Sequence, residues 1–347
     1  MSVRTRKVKK SVKIISWGGT FFLLLLISCQ FFISCEKKKS SGQNSVSEQK
    51  PILLGFSQIG AESEWRIRNT QSILEAAEEN GIQILYENAQ QKQENQIQAI
   101  HSFIIYQVDV IAFVPIVESG WDNVLREAKE AGIPVIIVDR NIQTSDPTLY
   151  DGLIGEDTNE EGRKAAYFLL KKYKDNPGPL NILELSGTEN SSAAYERAAG
   201  FRTVLNYHPR FQIIHSESGD FMKSRAHEIT NKIITYNGGL KIGHKNVDII
   251  LSHNDAMTFG MLEAMEENNI DPRNFTIITF DGEKKVIQSL KEGIINCVVE
   301  CNPNLGPELC YLVKKLAAGE SIPRITYVNE KVYSEFDSPE QLEGKGF

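Results

Sequence analysis

The sequence predicts an α/β fold of two similar domains, each a parallel sheet with helices on both faces, and three observations carry that reading. The first is the stretch Gly132–Arg140, Gly-Ile-Pro-Val-Ile-Ile-Val-Asp-Arg. Four β-branched residues, Val135–Val138, run without polar alternation, so both faces of this strand should be covered, as in a parallel sheet. The second is a repeat. Gln107–Pro115 (Gln-Val-Asp-Val-Ile-Ala-Phe-Val-Pro) and Asn246–Asn254 (Asn-Val-Asp-Ile-Ile-Leu-Ser-His-Asn) open with the same Val-Asp pair. Each is followed by a helix-length segment and a further apolar strand that stops on Asp, at Asp139 and at Asp281. The third is that the separations nearly agree, 30 residues from Asp109 to Asp139 and 33 from Asp248 to Asp281. Each unit therefore presents a carboxylate at the carboxyl end of its strands, the edge where open α/β sheets take ligands. Two Rossmann-like lips of this kind, facing each other, make a cleft. Asp139 beside Arg140 sets an acceptor next to a forked donor, which suits a ligand rich in hydroxyls. The alternative is an aspartate capping a turn and a solvated arginine.

Taken in order, Ile52–Gln58 reads as the first strand. Ser63 or Glu64 can start a helix that runs to about Asn80 and ends at Gly81. Trp65 falls in its first turn, where it either packs inward or, with Arg66, offers a flat face to a sugar ring. Gln83–Glu87 is the second strand. The amide-rich run Asn88–Gln98 leads into Ile97, Ile100, Ile104 and Ile105 at helical spacing. The third strand, Val108–Val114, ends at Pro115, and Trp121 begins a helix with Val124, Leu125 and Ala128 on its apolar side. Gly152–Asp157 reads as a crossing into the second domain, followed by a helix (Glu161–Lys172) and a strand (Asn181–Leu185). The polar loop Ser186–Ser192 precedes a helix bearing Arg197; it lacks the Gly-x-x-x-x-Gly-Lys pattern of a phosphate loop. Phe211–Glu217 is a strand that closes in Ser218-Gly219-Asp220-Phe221. After the repeated unit come a last strand (Cys297–Glu300), a bend (Asn302-Pro303-Asn304), a helix (Leu305–Ala317) and a returning strand (Ile325–Val332). Three passages between the halves are expected, near 153, 301 and 328. The domains are then 51–153 with 302–328, and 154–301 with 329–347.

At 347 residues the chain is comfortable for two domains. A formal charge of −7 argues against a nucleic-acid partner, since the densest basic run, Arg4–Lys13, belongs to an export signal. That signal continues with an apolar stretch from Ile14, and two cysteine boxes punctuate it: Leu26-Ile27-Ser28-Cys29 and Phe32-Ile33-Ser34-Cys35. Each resembles a bacterial lipobox. Cys35 is favoured for acylation because the better tether follows it, with Cys29 as the alternative. Residues 1–35 are then the signal and lipobox, and 36–50, without apolar periodicity, a disordered tether. An uncleaved anchor is the other reading, since Ile14–Ser34 is about long enough to span a bilayer; both put the domains outside the cytoplasm. Cys297, Cys301 and Cys310 show no Cys-x-x-Cys. In an extended run Cys297 and Cys301 would be about 13 Å apart, too far for a disulfide, so buried thiols and no metal are expected.

With these positions placed, the chain resembles the substrate-binding proteins of the ribose/galactose type that serve sugar ABC transporters, over residues 52–347. It is most similar to their galactofuranose-binding branch. The residues that carry the likeness are Gly-Phe-Ser-Gln-x-Gly-x-Glu-Ser-x-Trp-Arg from Gly55, Gln-Gln-Lys-Gln-Glu-Asn-Gln-Ile from Gln90, the Asp139-Arg140 strand end, Ser-Gly-Asp-Phe from Ser218 and His-Asn-Asp from His253. The resemblance implies the type I periplasmic-binding-protein fold and a monomer without cofactor that binds a monosaccharide, galactofuranose-like or a related pentose or hexose, by hinge closure. It implies that Trp65 and Phe221 sandwich the ring, that Arg66, Asp139 and Arg140 bond it from the first domain, and that Arg197, Asn254, Asp281 and Glu300 bond it from the second, with Gln58 and Glu62 as additions. Permease subunits of an ABC transporter are the implied partner; a membrane sensor is the alternative. Ala194 and Tyr195 before Arg197, and Cys301-Asn302 after Glu300, depart from the relatives' pattern.

Other classes fit less well. A dehydrogenase needs a glycine-rich turn after its first strand, and here the turn is Gly60-Ala61-Glu62-Ser63. Asp139 and Asp281 could pass for a hydrolase's carboxylate pair. Flanking Arg140 and Arg197 would keep them ionised, which disfavours a general acid. No nucleophile with an adjacent base is evident, so the chain is read as a binder and not an enzyme.

Overall fold

The computed structural model describes residues 50–347. The expected export signal, Cys29, Cys35 and all of the tether but Lys50 lie outside the described residues. In chain order the elements are β1 (Leu53–Gln58), α1 (Glu64–Glu79), β2 (Gln83–Asn88), α2 (Gln93–Ile105), β3 (Val110–Phe113), α3 (Asp122–Glu130), β4 (Val135–Val138), β5 (Gly152–Gly155), α4 (Thr158–Lys172), β6 (Leu180–Ser186), α5 (Ser192–Leu205), β7 (Phe211–Ser218) and α6 (Lys223–Asn237). A small hairpin, β8 (Lys241–Ile242) and β9 (Lys245–Asn246), precedes β10 (Ile249–Ser252), α7 (Asp255–Glu267), β11 (Thr276–Asp281), α8 (Lys284–Lys291), β12 (Cys297–Glu300), α9 (Gly306–Ala317), β13 (Ile325–Tyr327) and β14 (Val332–Ser334).

These form two six-stranded sheets, ordered β13-β5-β4-β3-β1-β2 and β14-β12-β11-β10-β6-β7. The pairings within them are parallel except for β12 with β14. The central strands β3, β4, β10 and β11 are buried along their whole length, the burial that unbroken apolar runs require. The chain changes sheets after Gly155, after Glu300 and after Tyr327. Helix α9 returns to the first sheet, where Leu305, Leu309, Leu312 and Val313 pack with Leu54, Phe56 and Ile73.

Three expectations need correction. Gly152–Asp157 is not simply a crossing, because Gly152–Gly155 is a strand paired with β4 and β13. Ile325–Val332 is not one strand: β13 joins the first sheet, β14 joins the second, and the segment between them is the third crossing. Ile105 is 78% exposed at the last turn of α2 and takes no part in the core. Cys297, Cys301 and Cys310 are free and buried, as their spacing led one to expect.

Candidate functional site

Both sheets end in the same backbone gesture. Asp139, immediately after β4, has φ +64°, and Asp281, the last residue of β11, has φ +107°. Such conformations are uncommon for residues with a Cβ and concentrate where a side chain must be aimed. Around Asp139 the aim is held by its own amide, which donates to the Ile154 carbonyl at 2.7 Å. Around Asp281 it is held by Asp255, whose Oδ2 accepts the amides of Gly282 (2.8 Å) and Glu283 (2.7 Å).

Helix α1 begins against the first lip because Ser63 caps it, its hydroxyl accepting the Arg66 amide. That places Trp65 and Arg66 in the first turn. Trp65 is buried, and its indole Nε1 donates to the Cys301 carbonyl at 2.7 Å. Arg66 Nη2 lies 2.7 Å from Asp139 Oδ2, and Nε donates to Glu62 Oε1 at 3.0 Å. Arg140 is looser, 3.9 Å from Glu62 and 4.0 Å from Asp139. The two guanidiniums respond differently: burial opposes charge on both, but Asp139 and Glu62 hold Arg66 above its ordinary pKa. Arg140 is pushed down to about 10 by burial and then by the charge of Arg66.

From the second sheet, Arg197 reaches the cleft on α5. A Cβ on Gly200 would fall 2.0 Å from the Asn159 carbonyl of α4, so only glycine allows the two helices this approach. The approach brings Glu161 Oε2 to 2.5 Å from Arg197 Nε, while Nη1 donates to the His253 carbonyl at 2.7 Å. Asn254 caps α7 by accepting the Met257 amide, and its Nδ2 donates to the Phe221 carbonyl at 3.2 Å. Phe221 sits in a turn with φ +58°, its ring filling the space that a side chain at position 187 would need. The Arg140 guanidinium stands 5.1 Å from that ring's centre and Arg197 5.9 Å.

Trp65, Arg66, Asp139, Arg140, Arg197, Phe221, Asn254, Asp281 and Glu62 thus line one cavity between the lips, together with Ser63, Ala193 and Cys301. Its empty space, counted out into open solvent, is about 320 Å³. Apart from Asp139 Oδ2, which is ion-paired with Arg66 Nη2, four buried atoms on its lining residues have no hydrogen-bond partner: the donors Arg66 Nη1 and Arg140 Nη1, and the acceptors Glu62 Oε2 and Asp281 Oδ2. Contrary to the expectation that Arg197 keeps Asp281 ionised, burial first and then the charge of Asp255 outweigh the pull of Arg197 and raise the Asp281 carboxyl well above the usual carboxylate range. Cys301, whose backbone carbonyl accepts the Trp65 indole, also lines the cavity, and no side-chain pattern announces it.

The structure does not bring Gln58 or Glu300 to this cavity. Gln58 Nε2 donates to Asn69 and Thr70, and its Oε1 accepts the Ile59 amide, pinning α1 to β1. Glu300 spends one oxygen on the third crossing and the other on β14, accepting the Lys331 amide and the Tyr333 hydroxyl at 2.9 Å each. Ser186–Asn190 of the polar loop line a separate surface hollow with Glu184 and Arg202.

Residues 54–321 match the family described as periplasmic binding protein domain. The galactofuranose-binding protein YtfQ of Escherichia coli (strain K12) is 35% identical over 309 residues, 88% of this chain and 95% of that protein. A Mycobacterium smegmatis protein crystallised in complex with β-D-fucofuranose is 40% identical, with a TM-score of 0.78, covering 84% of this chain and 93% of the other. The binding-protein component of the arabinose ABC transporter from Shewanella sp. ANA-3, bound to α- and β-L-arabinofuranose, is 35% identical, with a TM-score of 0.77, covering 84% and 94%.

Proposed function

We propose that this chain, which belongs to the periplasmic binding protein family, captures a monosaccharide in its furanose form for an ABC transporter outside the cytoplasm. The observation that carries the reading is the set of four unpartnered buried atoms, two donors and two acceptors drawn from both lips. Buried polar groups left without partners cost free energy, and a hydroxyl offers a donor and an acceptor at once. A polyhydroxylated ring between Trp65 and Phe221 would answer all four, its apolar face on the indole. Because the groups come from both lips, the sugar favours the closed arrangement over an open one, and closure makes a composite surface that a permease can read. Acylation at Cys35, or at Cys29, would hold the protein at the membrane.

The test is calorimetry with galactofuranose, fucofuranose and arabinofuranose donors beside methyl pyranosides that cannot change ring form, with product analysis of every mixture. Tight binding of a furanose, unchanged sugar afterwards and a smaller radius of gyration in scattering are expected. Pyranosides binding as tightly as furanoses would overturn the ring-form assignment; turnover of a bound sugar would overturn the binding role.

A further inference from the structure

Each of the three passages between the sheets carries one buried group able to bind a metal ion. Glu156 follows β5, Cys301 follows β12 and Glu330 lies between β13 and β14. One carboxylate oxygen of each glutamate and the Cys301 sulfur all lie within 4.8 Å of one another. Glu156 is 3% exposed, and neither of its carboxylate oxygens has a hydrogen-bond partner; Oε1 of Glu330 has none either. Glu161 stands beside this group, with one oxygen on Arg197 and Oε1 unpartnered. Against these carboxylates stand two cations: Arg197, already engaged by Glu161, and Lys164, whose Nζ is 3.9 Å from Glu330 Oε2.

Three carboxylates buried with so little counter-charge need protons or a cation, because an ionised group out of water without a partner is strongly disfavoured. The sulfur distinguishes between cations. Calcium and magnesium take oxygen ligands, whereas zinc and its neighbours combine thiolate with carboxylate. We propose that Glu156, Cys301 and Glu330 form a site for a divalent ion of the zinc class that ties the three interlobe strands together. On binding, the Cys301 thiol loses its proton to solvent as the metal–sulfur bond forms, and the ion's charge compensates the thiolate and the two carboxylates. The three ligands lie far apart in the chain and share no spacing motif, so only the convergence of the crossings shows the site.

The probe is Co²⁺, followed through its thiolate charge-transfer absorption, with Zn²⁺ as competitor, on the full chain stripped of metal. One equivalent of Co²⁺, displaced by Zn²⁺, is expected. Cys301→Ser should abolish the band, and Glu156→Gln should weaken binding at least tenfold. Zn²⁺ should raise the unfolding temperature by several degrees and, in urea below the unfolding midpoint where buried thiols are transiently exposed, slow the alkylation of Cys301 more than that of Cys297 or Cys310, mapped by mass spectrometry. The protection experiment decides the matter if a variant fails to fold. No band, a band that survives in Cys301→Ser, or equal alkylation of the three thiols with and without Zn²⁺ would overturn the site, leaving shared protons as the way the carboxyls are neutralised.

Discussion

In the first sheet Asp109 accepts the Leu53 amide at 2.7 Å and Asp151 the Val135 amide at 2.8 Å; in the second, Asp248 accepts the Asn181 amide and Asn296 the Ile277 amide, both at 2.8 Å. The turns after β2 and β7 also match. Ala89 and Gly219 donate to the carbonyls of Gln58 and Ser186, Lys92 and Met222 close the turns, and the paired residues Gln90-Gln91 and Asp220-Phe221 all have positive φ. The bottoms of the sheets and the turns after β2 and β7 are thus the same machine, yet the side chains set on the lips differ. Where the second half puts the Phe221 ring into the cleft, the first half has Gln91, whose side chain lies beside Gly60 and does not line the cavity. Where the first lip sets its aspartate in an ion pair, Asp139 with Arg66, though Glu62 Oε2, Arg66 Nη1 and Arg140 Nη1 stay unpartnered, the second leaves the equivalent Asp281 with an unpartnered oxygen and a turn held from behind by Asp255. One lip is a pre-assembled ion lattice; the other is a carboxyl held in waiting.

The same substitution at the two equivalent positions should separate these roles. Asp139→Gly and Asp281→Gly both relieve a positive φ, so backbone strain falls in each. Asp139→Gly, however, strips the buried Arg66 of its closest counter-charge and should cost about 3–5 kcal/mol of stability in urea unfolding without ligand. Asp281→Gly should leave that stability level or higher, because it removes a buried, unsatisfied carboxyl, while sugar affinity falls by about 2–4 kcal/mol. Equal destabilisation by the two variants would show that the lips do not differ in the way their pairing suggests.

Trp65 tests whether the first lip also serves the ligand directly. Stacking and desolvated contact by its ring should make Trp65→Ala lose about 2 kcal/mol of affinity, read by calorimetry. Trp65→Phe keeps a stacking face but loses the bond to the Cys301 carbonyl, and should recover part of that loss. If both variants bind normally and both unfold early, the indole serves only as a peg between α1 and the second crossing.

Much of this was legible in the sequence for a physical reason. A Val-Asp pair before an apolar run combines a strand signal with a strand-capping carboxylate, and its recurrence at Asp109 and Asp248 exposed the duplication. Asp139 and Asp281 were legible because each terminates such a run. The illegible parts depend on geometry that side-chain type does not encode. Gly152 and Gly155 bracket a strand that reads as a loop, since Gly155 is needed to let Asp139 pass, a Cβ there falling 2.8 Å from the Asp139 carbonyl. Ile325–Val332 reads as one strand because nothing in its composition marks Glu330 as a crossing. Glu300 sits in register beside Asp281 and so shares its strand end, but its carboxylate is taken by the neighbouring crossing and β14.

The smallest expected effect is a pH dependence confined to the second lip. Burial, then the charge of Glu283, pushes the Asp255 carboxyl up to about 8 against the pull of its bonds from Thr279, Gly282 and Glu283. Burial, then Glu64, pushes Glu283 up to about 7. A carboxyl whose pKa is raised by folding binds its proton more tightly in the native state, so its contribution is fully present below the unfolded-state pKa near 4 and is lost as pH rises through 7 to 8. The turn carrying Asp281 should therefore loosen with rising pH, by on the order of 1–2 kcal/mol between about pH 6 and pH 8. In the first lip the charged guanidiniums of Arg66 and Arg140 do not titrate in that window, Arg140 doing so only at about 10. Hydrogen exchange, corrected for the intrinsic pH dependence of the amides, should show the opening free energy of the Gly282 and Glu283 amides falling while that of the Asp139 amide holds. Asp255→Asn should flatten the difference, since an amide cannot ionise. A parallel decline at both lips would mean that the whole fold loosens with pH, and the contrast between an ion lattice and a held carboxyl would have to be given up.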